Sequence, residues 1–372
     1  VALLLVLFIL PWTTPIPTPV LAAPPCGHVG ALLGFIALDA HTLVGGTDAG
    51  SLAYSGDGGR CWKPAVVAGG GPHRLGAFLR DPRRPSVLLA GAGSPGRVGF
   101  GATSGLLRSV DGGRHWTALD SMDGLPDAAF VVDDLIATGK AILAAVSCPD
   151  EVAGIIAQQA ASYQCGAPIY RSMDGGATWQ AAGLGAPQPV NGRPAPAFDG
   201  AVQALATQGT SIFAAAIPLY SPPGLYRSDN LGSTWHLAGS NRALEDVTAL
   251  AALPSKPGPT LLAGVGIVGS GAQVLRSTDG VRVWSPSLSA DAFGDPIVLE
   301  LLTTRHGIYS LGLHHLFIST DNGATWRPTA GSGLGDRLNR YLAELPSGAL
   351  LLAQGGAIET SLDQGAHWRR VE

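Results

Sequence analysis

The sequence predicts an all-β chain folded as a seven-bladed β-propeller with four antiparallel strands per blade, and three observations carry that prediction. First, an eight-residue box, Ser-x-Asp-x-Gly-x-x-Trp, returns seven times. It begins at Ser55, Ser109, Ser172, Ser228, Ser277, Ser319 and Ser361 and closes at Trp62, Trp116, Trp179, Trp235, Trp284, Trp326 and Trp368. Second, the intervals between those tryptophans are 54, 63, 56, 49, 42 and 42 residues, the period of one four-stranded blade. Third, 52 Gly and 28 Pro with only 13% charged residues suit many short strands joined by tight turns. A chain of 372 residues would otherwise suggest two or three domains, but blades closing into a ring make one.

The elements follow in order. Residues 1–10 are an uninterrupted apolar run that stops at Pro11, too short for the ~20 helical residues that span a bilayer. Residues 1–23 therefore read as a signal peptide, with cleavage expected after Ala22 or Ala23. An uncleaved N-terminal anchor is the weaker alternative, since the stretch holds several prolines. Pro25 before Cys26 disfavours a lipoprotein. The propeller is assigned residues 27–372, and the location is secreted or cell-envelope. In an oxidising compartment the four cysteines allow three pairings. Cys148 with Cys165 would staple one long insertion, and Cys26 with Cys61 would tie the incoming segment to the first blade. Four buried free thiols are the other reading, and none of the four has zinc-ligand spacing.

Each repeat then reads as four short apolar runs bounded by turn residues. In blade 2 they are residues 75–79, 87–90, 106–108 and 116–119; in blade 4, 201–206, 211–215, 224–227 and 235–238; in blade 7, 338–345, 349–353, 357–360 and 367–371. The box is the turn between the third and fourth strands. Its Asp (Asp57, Asp111, Asp174, Asp279, Asp321, Asp363, with Asn230 in blade 4) is placed to accept backbone N–H groups, and its Gly to take positive φ. The Trp is a buried anchor. Blade 5 has Val281 at the Gly position, so the turns of blades 4 and 5 are predicted to be the least regular.

This pattern resembles the Asp-box, or bacterial neuraminidase repeat, shared by sialidases, xyloglucan-cleaving glycosidases, sortilin-type receptors and photosystem II assembly factors. The best copies are residues 109–116 (SVDGGRHW) and 172–179 (SMDGGATW). The resemblance implies the propeller over residues 55–368. It implies no single activity, because the box occurs in enzymes and non-enzymes alike.

In such a ring the turns between second and third strands open on the face opposite the boxes. The long insertions there are residues 91–105, 147–167, 217–223 and 264–272, all in blades 2 to 5, and gathered insertions mark a binding side. Acids precede or begin several inner strands: Asp133 and Asp134, Asp199, Glu245 and Asp246, and Asp295. His73, Arg74, Arg337 and Arg340 hold the corresponding places across the ring. A mouth acidic on one side and basic on the other would orient a polar ligand or a charged partner; the plainer alternative is that these residues cap turns and hydrate the rim.

Two functions follow. The favoured one is an exported, non-catalytic, monomeric propeller that binds a protein partner or glycan on the face of the long loops. The alternative is a glycoside hydrolase that pairs carboxylates among Asp134, Asp199, Asp246 and Asp295. Against hydrolysis, seven of the eight Trp belong to boxes and Trp12 to the leader, which leaves Phe100, Tyr163 and Tyr220 as loop aromatics. No Arg precedes Ser55, whereas the sialidase resemblance calls for an Arg-Ile-Pro element upstream of the first box. A net charge of -4 gives no footprint for nucleic acid. His314-His315 reads as a turn rather than a metal site, and Asp123, Gly124 and Asp127 lack calcium-loop spacing. No cofactor or metal is expected.

Overall fold

The structure, a computed structural model, describes residues 32–47, 50–68, 75–92, 105–127, 130–147, 167–183, 200–218, 224–240, 242–244, 247–254, 260–266, 271–329, 340–354 and 357–371. Within them the chain forms seven sheets in which the strands follow one another antiparallel in chain order. The innermost strand of each blade is its first: Leu32–Ala37, Leu75–Arg80, Val131–Thr138, Gly200–Gln208, Val247–Leu253, Val298–Thr304 and Arg340–Glu344. The predicted runs match closely; in blade 4 the others are Ser211–Pro218, Gly224–Ser228 and His236–Ser240.

One feature goes beyond four strands per blade. After the last strand of blade 1, residues Val66–Ala68 pair in parallel with His115–Leu119, so blade 2 has a fifth, outer strand. That strand covers an edge that would otherwise expose unpaired backbone groups.

The box turns have one shared geometry. The two central positions both take positive φ in every repeat, from Gly58 and Gly59 to Gln364 and Gly365. The Ser hydroxyl donates to the Asp carboxylate and accepts the N–H four residues on, as in Ser172 with Asp174 (2.8 Å) and Gly176 (2.8 Å). Asn230 and Val281 keep this frame: Gly232 N–H reaches Ser228 Oγ at 2.9 Å and Val281 N–H reaches Ser277 Oγ at 3.2 Å. The turns of blades 4 and 5 are thus no less regular than the others, contrary to the expectation, because the frame rests on the Ser hydroxyl and the backbone; what varies between repeats is the indole partner. Trp62, Trp116 and Trp179 donate to their own box Gly carbonyl, Trp326 donates to Ser287, and the indole N–H groups of Trp235, Trp284 and Trp368 have no partner. Blade 7, with a regular box, thus shares the departure of blades 4 and 5.

The core consists of seven clusters, one per seam between neighbouring blades. Each box Trp packs back on the preceding blade: Trp179 joins Leu89 and Leu106 of blade 2, and Trp284 joins Phe213 and Leu225 of blade 4. The ring closes the same way, with Leu32, Phe35 and Trp62 of blade 1 against Leu345, Leu351 and Ile358 of blade 7. No strand is exchanged between the first and last described blades, so apolar burial holds that seam.

Candidate functional site

The channel wall is set by register. In each blade one residue of the inner strand stands opposite the second-strand residue three places beyond the partner of the box Ser. These residues are Gly34, Ala77, Asp134, Ala204, Ala249, Glu300 and Tyr341. In six blades a β-bulge sits immediately before the position, between Val132 and Asp134 or between Val298 and Glu300, for example. A bulge re-aims the side chain that follows it. Four of the seven positions hold Gly or Ala, and the three longer side chains are two acids and a phenol.

The two acids do the same thing at different seams. Asp134 of blade 3 accepts the Leu205 N–H of blade 4 at 2.8 Å with one oxygen and the Leu135 N–H at 2.7 Å with the other. Glu300 of blade 6 accepts the Leu342 N–H of blade 7 at 3.2 Å. Inner strands have no neighbour on their channel side, so these N–H groups would lack a sheet partner. Each carboxyl therefore braces one blade to the next. Thr248 does similar work with a hydroxyl, donating to the Val298 carbonyl at 2.6 Å.

Burial raises both acids: Asp134 is pushed up to about 6, and Glu300 to about 8, where the Asp134 charge adds to the effect. Tyr341, edge-on to Phe35 at 5.3 Å, is raised by burial and by the charges of Glu300 and Asp134. These three groups thus sense one another across the channel. Asp133, the bulge residue, is buried and pushed up to about 7, and its Oδ2 has no partner. Desolvation disfavours the charged form of each acid, so near neutral pH Glu300 keeps its proton while Asp134, at about 6, is largely ionised.

Sequence reasoning named Asp134 and missed Glu300 and Tyr341. The signal used was an acid before or at the start of an inner strand, whereas Glu300 lies within its strand and Tyr341 is not an acid. Counting three places on from the second-strand partner of each box Ser puts all three in one column.

Asp295 lies elsewhere. Its side chain is fully enclosed and accepts the His314 N–H at 2.9 Å and the His315 N–H at 3.0 Å, with His315 Nδ1 at 3.3 Å. It closes the turn between the second and third strands of blade 6, where His314 and His315 were expected. Asp123 and Gly124 belong to a capped one-turn 3-10 helix, Ser121–Asp123. Among the described residues no three His, Cys, Asp or Glu side chains gather as a metal site. Arg340 starts the inner strand of blade 7; its side chain lies outside the described residues, as do His73, Arg74, Asp199, Glu245, Asp246 and Arg337. Also outside are residues 1–31, Cys148, Cys165 and nearly all of the four long insertions, with Phe100, Tyr163 and Tyr220. Cys61, within the first box, is disulfide-bonded, and its partner is not among the described residues.

Comparison with known proteins agrees with this architecture. The family model for the BNR/Asp-box repeat matches residues 317–328, the box of blade 6. No curated protein matches the sequence. Among solved structures the chain is similar to YCF48 bound to D1 peptide, with 16% identity over 90% of this chain and 93% of that one and a TM-score of 0.54. It is similar to an ancestral GH74 enzyme at 15% identity and a TM-score of 0.59, covering 93% of this chain and 47% of that one; the chain spans about half that enzyme's length. PorZ, a surface component of the type-IX secretion system of Porphyromonas gingivalis, gives 12% identity, a TM-score of 0.56 and coverage of 92% and 38%. At these identities the likeness is one of fold. Repeat, register and likeness together identify the chain as a seven-bladed β-propeller built from Asp-box repeats.

Proposed function

We propose that this propeller is an exported binding module that takes a protein partner or a polar ligand, and that it does not hydrolyse glycosides. The observation that carries this reading is the use of its described acids. Asp134 gives both carboxylate oxygens to backbone N–H groups, and Asp295 is enclosed by the N–H groups of His314 and His315. A retaining or inverting glycosidase needs one carboxylate free to attack or activate water and a second free to protonate the leaving group. Acids held by backbone amides serve the ring instead.

The face opposite the boxes is the proposed docking side, with Asp199, Asp246 and Arg340 at its mouth and the insertions of blades 2 to 5 around it. Export through residues 1–23 and a Cys26–Cys61 disulfide belong to the same proposal, with Cys148–Cys165 as the second staple. The peptide held by YCF48 supports the binding reading by analogy of fold.

The test is a screen of the purified chain on chromogenic sialosides and xyloglucan oligosaccharides, with a glycan and peptide array in parallel. The expected result is no turnover, with saturable retention on the array that is lost in Arg340→Glu or Asp246→Lys. Turnover abolished by Asp199→Asn or Asp246→Asn would overturn the proposal in favour of hydrolysis.

A further inference from the structure

Blades diverge from the axis like wedges, so each seam opens toward the circumference unless side chains fill it. The seam between blades 2 and 3 stays open as a cavity of about 370 Å³, within the range of ordinary ligand pockets. One wall is the face of blade 2 turned toward blade 3: His115, Thr117 and Leu119 alternate along the fourth strand, and Arg108 is the cross-strand partner of Thr117. Trp116, between them, points the other way into the seam with blade 1. Asp123 and Ala177 close the far side.

The polar groups of this cavity divide into satisfied and unsatisfied ones. Asp111 is occupied by the box turn and by His115 Nδ1 at 2.6 Å. Arg108 is partly buried, and its Nε donates to the Gly175 carbonyl at 2.9 Å; among the described residues the terminal guanidinium nitrogens take no further hydrogen bond. Asp123 uses one oxygen for the Asp120 N–H at 3.1 Å. Arg108 and Asp123 line one cavity with opposite charges, yet they form no ion pair. A partly buried cation and an anion held apart suit a ligand that offers an acceptor to one and a donor to the other.

The remaining walls are aliphatic. Val110 is 58% exposed at the rim, with Leu119 and Ala177 deeper. Met122 (90% exposed) and Met173 (36% exposed) stand on the adjoining turns, and they are the only two methionines of the chain. Exposed flexible methionines beside a groove suit an adaptable protein contact. A glycan would want an aromatic platform, and these walls supply none.

We propose that this groove binds an extended peptide segment of a partner protein. A backbone carbonyl of the segment reaches Arg108, an N–H reaches Asp123, and one apolar side chain lies on Val110, Leu119 and Ala177. This site is separate from the docking face proposed above and does not depend on it.

The experiment selects phage-displayed random heptapeptides on the purified full chain and measures the enriched peptides by fluorescence anisotropy. Two variants fill the groove, Ala177→Glu from the box of blade 3 and Thr117→Arg from an exposed strand position. Ala324→Glu, at the same box position in blade 6, is the control. The expected result is at least a tenfold loss of affinity in both filling variants, unchanged affinity in the control, and unchanged thermal melting in all three. Failure to enrich any peptide, or enriched peptides that bind the filled variants as tightly as the parent chain, would overturn the proposal. Because Arg340→Glu and Asp246→Lys test the docking face proposed above and not this groove, failure here leaves that result untouched.

Discussion

At the scale of single residues, the box forces conformations that its side chains resist. Among the described residues positive φ falls at non-Gly positions only in boxes: Leu231, Val281, Asn322 and Gln364. Val281 is β-branched at φ 80, yet 3% exposed in the core of the seam between blades 4 and 5, so its packing offsets the strain. Gln364 is exposed at φ 62 and gains no such packing; its carbonyl, which receives the Tyr309 hydroxyl at 3.2 Å, is independent of side chain. Gln364→Gly is therefore predicted to stabilise the chain by about 0.5–1 kcal/mol, the relief of a left-handed side chain less the added entropy of the unfolded glycine. Urea unfolding measures it, and a lower midpoint would refute it. Gly175 shows the opposite limit: at φ 80 a side chain there would also meet the Arg84 guanidinium.

At the scale of the element, the box is an electrostatic unit as well as a turn. Its carboxylates accept several N–H and O–H groups and are held below their usual range, Asp111, Asp174, Asp321 and Asp363 at about 2. Burial opposes this at Asp111 and Asp174, and the hydrogen bonds outweigh it. A depressed acid contributes stability above its unfolded pKa of 3.8 and loses it as pH falls through the folded value. The turns should thus weaken between about pH 4 and pH 2, with Asp174→Asn showing a smaller change over that window by thermal melting. An equal slope in the variant would place the acid sensitivity elsewhere. The arginine just before the box Ser extends the unit: Arg108 and Arg276 each donate to the carbonyl of the fourth box residue in the next blade, at 2.9 Å. The box pattern alone gave no hint of that link, because its partner lies 67 or 46 residues away.

At the scale of the whole molecule, the channel acids act with the opposite sign. Asp133, Asp134 and Glu300 are raised by burial, so their unfolded forms ionise first. The stability they allow is full below about pH 4 and is lost as pH rises through about 6 to 8. The boxes gain stability as pH rises from about 2 to 4 and the channel acids lose it above that, so the two sets act on opposite sides of about pH 4. Glu300→Gln keeps an acceptor for the Leu342 N–H and removes the proton, and it is predicted to flatten the decline of melting temperature between pH 5 and pH 8. An unchanged profile would show that Glu300 titrates normally. Asp134 and Glu300 each join adjacent blades, so the groups whose ionisation burial opposes sit at two seams on nearly opposite sides of the ring.

Blade count, strand order and the position of every box were legible in the chain because each depends on local spacing: apolar runs of four to six residues, Gly at forced φ, Trp at a fixed step. Repetition added to that legibility, since seven copies average out the departures at Asn230 and Val281. The channel wall was not legible. Asp134 and Glu300 are 166 residues apart in sequence, and only ring closure brings their charges within reach of each other, where burial then decides their protonation. The same holds for the groove between blades 2 and 3, whose Arg108, Asp123 and Ala177 meet because two blades splay from a common axis. Local chemistry determined the blade; the closed ring alone determined which side chains share a space and how much water reaches them.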